Sequence, residues 1–179
     1  AFGITVEELE GAYRFHADGL HAARYVFPVV SVTGTETLLL LAVRTPGTSL
    51  IENAAMEPEI PALAAFLNAC GARITGAGTP TITITGVDRL SGGSVTCIPD
   101  RIETGAFAAL VAACGGDLEI RDCTPAHVAV PLKLLASMGA TVAVDDAAGT
   151  LRVVCERPLR AIPFRTHEYP GFATDLQPP

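Results

Sequence analysis

Polar and apolar residues alternate strictly along Thr81-Ile82-Thr83-Ile84-Thr85, which is the period of a strand with one buried face. Elsewhere the apolar positions cluster into helical stretches at residues 35–44 and 102–114. Read together, these patterns form a repeat. One copy starts at Gly47 and reads GTSLIENAAMEPEIPALAAFLNACGARI; the other starts at Gly116 and reads GDLEIRDCTPAHVAVPLKLLASMGATV. Gly47 aligns with Gly116, Gly71 with Gly139 and Ile84 with Val153, an offset of roughly 68 to 69 residues.

Each copy predicts the same elements. A first apolar helix is followed by a Gly turn and a short strand, residues 49–53 or 118–121. A second helix has Pro near its start (Pro58, Pro125) and Gly just past its end (Gly71, Gly139), the expected asymmetry of helix termini. Two strands close each copy, residues 72–75 with 81–85 and residues 141–144 with 150–155. The repeat is αβαββ, with a strand expected to lead into the first helix. Residues 10–26 read as the terminal strand pair of a preceding copy, and residues 163–179 as the start of a following one.

Composition narrows the class. Apolar residues make up 49% and charged residues 17%, enough for a sizeable core and against global disorder. The net charge of −7, with no basic run, argues against nucleic acid and anionic membrane as partners. The apolar run of residues 38–43 stops at Arg44 and is far too short to span a bilayer. The five cysteines show no C-x-x-C spacing and no metal-ligand pattern, which suggests reduced thiols in a cytoplasmic setting. Cys114, at the end of an apolar helix with nothing basic nearby, reads as a small buried residue rather than a nucleophile. His127, in the first turn of a helix, reads as a surface residue.

Several positions admit both a structural and a chemical role. Thr33-Gly34-Thr35-Glu36 and Asp100-Arg101-Ile102-Glu103 fit helix-capping boxes. A helix start with a nearby glycine can also bind phosphate through its N–H groups and dipole. Glu57 and Glu59, on either side of Pro58, are by default favourable charges at a helix N-terminus. Asp175 follows a turn-rich stretch with few charged neighbours in sequence. It is either a helix-terminal charge or a base in a partly dry site.

Four stretches carry a resemblance: Ser31-Val32-Thr33-Gly34-Thr35-Glu36, Ile51-Glu52-Asn53-Ala54-Ala55-Met56-Glu57-Pro58-Glu59-Ile60, Pro99-Asp100-Arg101-Ile102-Glu103-Thr104-Gly105 and Phe172-Ala173-Thr174-Asp175-Leu176-Gln177. In order and spacing the chain resembles the central part of the UDP-N-acetylglucosamine enolpyruvyltransferase family. The resemblance implies an α/β fold of repeated βαβαββ units in an inside-out α/β barrel, here incomplete. Residues 1–97 would end a first barrel domain, with a partial unit at 1–28 and a full one at 29–97. Residues 98–179 would start a second, with a full unit at 98–162 and a partial one at 163–179.

The resemblance also implies roles. Ser31, Val32 and Thr33 match the helix entry that holds the nucleotide diphosphate. Thr174 and Asp175 match the pair at the amino sugar, Asp175 being the base for the 3-hydroxyl. Glu57 and Asp100 match acidic residues lining the cleft between domains. Val29 and Tyr169 depart from residues found in some members, a lysine and a histidine. The implied substrates are UDP-N-acetylglucosamine and phosphoenolpyruvate, with no metal and no organic cofactor. The family's Lys-Asn motif, its reactive-cysteine loop and its later phosphate-gripping arginines have no match here. The expected chain is thus a segment with part of the site, inactive alone and prone to self-association or completion by another chain. A shikimate-type enolpyruvyltransferase and a non-catalytic sugar-nucleotide-binding module are the alternatives, although the former's serine-lysine-serine motif is not seen.

Overall fold

The computed structural model describes residues 1–176. Gln177, which ends the fourth motif, and Pro178 and Pro179, where a further first helix is expected, lie outside the described residues. The chain divides into two compact lobes, Ala1–Cys97 and Ile98–Pro179.

The first lobe opens with an antiparallel hairpin of β1 (Ile4–Leu9) and β2 (Ala12–Ala17). In its two-residue connection, Glu10-Gly11, Gly11 adopts φ 71°, a left-handed conformation that glycine reaches without steric cost. Next come β3 (Arg24–Val26), α1 (Val32–Ala42), β4 (Thr48–Glu52), α2 (Glu59–Ala69), β5 (Arg73–Thr75) and β6 (Thr81–Thr85). They form a sheet of order β3-β4-β6-β5. Strands β3 and β4 run parallel with α1 as the crossover, and β6 is antiparallel to both its neighbours. The alternation in β6 does what its period predicts: Ile82 and Ile84 are fully buried, and the threonines between and around them are not. Leu39 and Ala42 from α1, and Ile60, Ala64 and Leu67 from α2, share that core. Each fully buried Ile or Leu contributes about 1.5–3 kcal/mol.

The second lobe repeats the plan with α3 (Arg101–Cys114), β7 (Gly116–Ile120), a 3-10 turn (Pro125–Val128), α4 (Ala129–Met138), β8 (Thr141–Asp145) and β9 (Thr150–Cys155). Its sheet order is β7-β9-β8, all antiparallel. Exchanging β4, β6 and β5 for β7, β9 and β8 reproduces the first sheet strand for strand. One strand is not repeated: β3 flanks β4, whereas no strand flanks the outer edge of β7 among the described residues. Leu151, Val153 and Cys155 of β9 point into a core with Ala108, Val111, Val128 and Leu132. A last short turn, Thr174–Leu176, brings Leu176 into this core.

The structure corrects some local expectations. Helix α1 starts three residues earlier than its apolar pattern suggests. Its N-cap is Ser31, whose Oγ accepts from the Gly34 N–H at 3.1 Å, so Thr33 lies inside the first turn and caps nothing. Pro125 starts the 3-10 turn and not the helix, which begins at Ala129. The early strand pair is 4–17. β3, assigned by sequence to the partial copy, bonds to β4 of the full one. Cys114 is exposed, because α3 ends there and Gly115 (φ 77°) turns the chain away. His127 is half-buried.

Candidate functional site

Each lobe brings its own group of predicted site residues together. In the first, both helices start at the carboxyl ends of the parallel strands β3 and β4, where open α/β sheets tend to place ligands. The two loops there are tied to each other. The Phe27 N–H donates to the Glu52 carbonyl at 3.0 Å, and Asn53 Nδ2 donates to the Phe27 carbonyl at 3.0 Å. Asn53 adopts φ 53°, a left-handed conformation that asparagine tolerates better than most residues. Thr35 completes the tie. It is fully buried, its hydroxyl donates to the Ser31 carbonyl at 2.8 Å, and it accepts the Ala55 N–H at 3.0 Å.

The start of α1 suits an anion. Ser31 satisfies the Gly34 N–H, while the N–H groups of Val32 and Thr33 have no acceptor within the helix. No acidic residue occupies the first turn, so the positive end of the helix dipole is not neutralised there. Ser31 and Val32 are half-buried and Thr33 is exposed. Glu57, just before α2, is 6% exposed, and its Oε2 is buried with no hydrogen-bond partner among the described residues. A buried acceptor left without a donor costs about 1–3 kcal/mol, which marks the place for a donor or cation.

The start of α3 is built differently. Asp100 Oδ1 accepts from the N–H groups of Ile102 (2.8 Å) and Glu103 (3.1 Å), so the cap predicted from sequence is present. Glu103 adds a second carboxylate in the first turn. With two acids already at this terminus, it does not offer the anion site that α1 does. Asp175 is not isolated. Arg101, 74 residues away in sequence, donates from Nη1 to its Oδ1 at 3.1 Å and from Nη2 to its Oδ2. The Arg101 side chain is 3% exposed and that of Asp175 36%. Thr174 is exposed beside it. The quiet charge environment expected from the sequence around Asp175 is therefore corrected, because its neighbour in space is a buried guanidinium.

Sequence reasoning gave Arg101 no role, although a signal was available. The buried positions of α3 are Arg101, Thr104, Ala108 and Val111, a helical stripe in which an arginine needs a buried partner. Arg152 holds Asp117 below the usual carboxylate range, chiefly through its hydrogen bond, and Arg24 does the same to Glu52. Both pairs lie on exposed sheet faces, across β7–β9 and β3–β4. Burial pushes the Cys123 thiol up. No group of three or more His, Cys, Asp or Glu is placed to hold a metal among the described residues, and no helix there is long and apolar enough to cross a membrane.

A family profile described as EPSP synthase (3-phosphoshikimate 1-carboxyvinyltransferase) matches residues 1–178. The chain is 43% identical over its whole length to UDP-N-acetylglucosamine 1-carboxyvinyltransferase 3 of Caldanaerobacter subterraneus subsp. tengcongensis, covering 42% of that protein. Over 158 residues it is 47% identical to UDP-N-acetylglucosamine 1-carboxyvinyltransferase of Xylella fastidiosa, covering 88% of this chain and 37% of that one. The chain thus spans about two fifths of the length of these curated relatives. Among solved structures, the enolpyruvyl transferase NikO from Streptomyces tendae superposes with a TM-score of 0.81 at 25% identity, over 99% of this chain and 45% of that one. EPSP synthase from Acinetobacter baumannii, at 20% identity, shares the fold with a TM-score of 0.62, over 99% of this chain and 42% of that one.

Proposed function

The chain belongs to the EPSP synthase (3-phosphoshikimate 1-carboxyvinyltransferase) family, and on that premise we propose that it is part of an enzyme that transfers the enolpyruvyl group of phosphoenolpyruvate to the 3-hydroxyl of UDP-N-acetylglucosamine, the first committed step of peptidoglycan synthesis. The observation that carries the choice of acceptor is the identity of 43–47% to relatives named for that sugar nucleotide. The site is cytoplasmic in this reading and needs neither metal nor organic cofactor.

The residues take roles that their surroundings favour. The N–H groups of Val32 and Thr33, with Ser31 shaping the turn, receive the nucleotide diphosphate at the dipole of α1. Glu57, two residues after the Thr35–Ala55 tie, holds a buried oxygen ready for a donor or cation of the assembled site. Asp100 holds the first turn of α3 and thereby Arg101. Thr174 and Asp175 meet the amino sugar, and Asp175 takes the proton of its 3-hydroxyl. The freed oxygen attacks C2 of phosphoenolpyruvate. The double-bond pair takes up a proton at C3 on addition; C3 then gives up a proton as phosphate leaves, which restores the double bond, so the sugar gains the enolpyruvyl group and inorganic phosphate is released.

Because the relatives are more than twice as long, these 179 residues hold only part of the catalytic set in this reading, and a longer protein or a second chain supplies the rest. The test is steady-state phosphate release by the full-length protein. Release with phosphoenolpyruvate and UDP-N-acetylglucosamine is expected, and none from the 179-residue chain alone. Release with shikimate 3-phosphate instead would assign the acceptor named in the family description. Binding of the sugar nucleotide without any turnover of the full-length protein would identify a non-catalytic module.

A further inference from the structure

We propose that Arg101 positions the carboxylate of Asp175 for proton abstraction, an inference that rests on the reading of Asp175 as the base. Arg101 is the first residue of α3, and the backbone there is fixed from two sides. Asp100 caps the helix with bonds to two N–H groups, and the buried Thr104 hydroxyl donates to the Asp100 carbonyl at 2.8 Å. Arg101 belongs to the buried stripe of α3, and its side chain is only 3% exposed. Its two terminal nitrogens meet the two oxygens of Asp175 separately.

That two-point contact has a consequence that a single bond would not. One hydrogen bond leaves a carboxylate free to rotate about Cβ–Cγ; two parallel bonds from a planar guanidinium fix its plane. An ionised carboxylate offers about four lone-pair sites, and the guanidinium uses two, so acceptor capacity remains for a hydroxyl proton. The 36% exposure of the Asp175 side chain leaves room for a hydroxyl to approach. The next residue, Leu176, is buried, and its Cδ2 lies 3.0 Å from where a Cβ on Gly105 would stand. The turn that carries the base is therefore seated on the same helix that carries Arg101. If the pair were only a tether for this turn, it would serve stability and leave the chemistry alone, and the two roles separate in a double-mutant cycle.

The experiment uses the full-length enzyme carrying this segment, with Arg101→Gln, Arg101→Lys, Asp175→Asn and each Arg101 variant combined with Asp175→Asn. Arg101→Gln is expected to lower kcat on the order of a hundredfold, the loss typical of a misplaced reacting group. The KM for the sugar nucleotide should move by less than about threefold, since binding energy is not what is lost. Arg101→Lys should recover part of the loss, because an ammonium can meet one oxygen but cannot fix the plane. In the Asp175→Asn background neither Arg101 variant should cost further kcat. Equal losses in both backgrounds, or a loss confined to melting temperature or KM, would overturn the proposal. If Arg101→Gln does not fold, Arg101→Lys carries the cycle and the same comparison decides. Full activity of Asp175→Asn would remove the base reading and this proposal with it. An inactive Asp175→Asn beside a fully active Arg101→Gln would overturn the positioning role alone.

Discussion

Asp175 shows how a partner in space changes what a substitution tests. As a general base it contributes on the order of 10² to 10⁴ in rate, so Asp175→Asn in the full-length enzyme should lower kcat at least about a hundredfold. As a helix-end charge alone it would be worth only about 0.3 to 1 kcal/mol, and Asp175→Ala would leave the fold untouched. The ion pair alters that second expectation. Asp175→Ala takes a carboxylate away from a guanidinium that is 3% exposed, and it should cost about 1–3 kcal/mol of stability, less than a fully buried pair because Asp175 is itself partly solvated. Urea unfolding of the two variants checks this: Asp175→Asn, which can still accept a hydrogen bond, should unfold later than Asp175→Ala. A midpoint for Asp175→Ala equal to that of the unmutated protein would show that the pair adds nothing to the fold. The sequence presents Asp175 and Arg101 as members of two separate motifs. It shows the arginine on a buried stripe, yet it cannot show that the stripe ends at a carboxylate 74 positions later.

At the level of elements, the repeat is visible in the sequence because strand and helix periods are local properties. The alternation of β6 and β9 and the glycines after α2 and α4 follow from side-chain direction and backbone freedom at single positions. The start of α1 is less legible, because Ser31 and Thr33 are both good caps and only the path of the chain from β3 decides between them. Contacts between elements were out of reach for the same reason. Gly86, which follows β6, donates its N–H to the Gly47 carbonyl at 2.9 Å and lies against the α1–β4 connection. A Cβ there would stand 1.7 Å from the Thr45 carbonyl oxygen, and Thr45 is fully buried. Gly86→Ala is therefore expected to destabilise the first lobe by at least about 1–3 kcal/mol, the usual cost of overpacking, read as a lower melting temperature. An unchanged melting temperature would mean that the connection shifts without cost.

Taken whole, the chain carries more apolar helix surface than its two cores use. Leu40 on α1 is 54% exposed, and on α3 Phe107 and Leu110 are 43% and 53% exposed. Helices that are apolar nearly all round normally have neighbours on every side. The relatives are more than twice as long, so this chain corresponds to only part of their length. The 179-residue chain is accordingly expected to self-associate in a concentration-dependent way, and sedimentation velocity should show species heavier than 18.5 kDa. A single 18.5 kDa species at high concentration would show that these faces are tolerated in water. The pairing distances along the chain also set an order of assembly during synthesis. Sheet contacts join residues such as Thr48 and Thr85, 37 apart, or Asp117 and Arg152, 35 apart, so each sheet can close soon after its last strand leaves the ribosome. The Arg101–Asp175 pair spans twice that distance and waits for the final turn of the second lobe. The proposed base is thus installed only after the scaffold that holds it is complete, and a nascent chain stalled before Thr174 would have both sheets and no base.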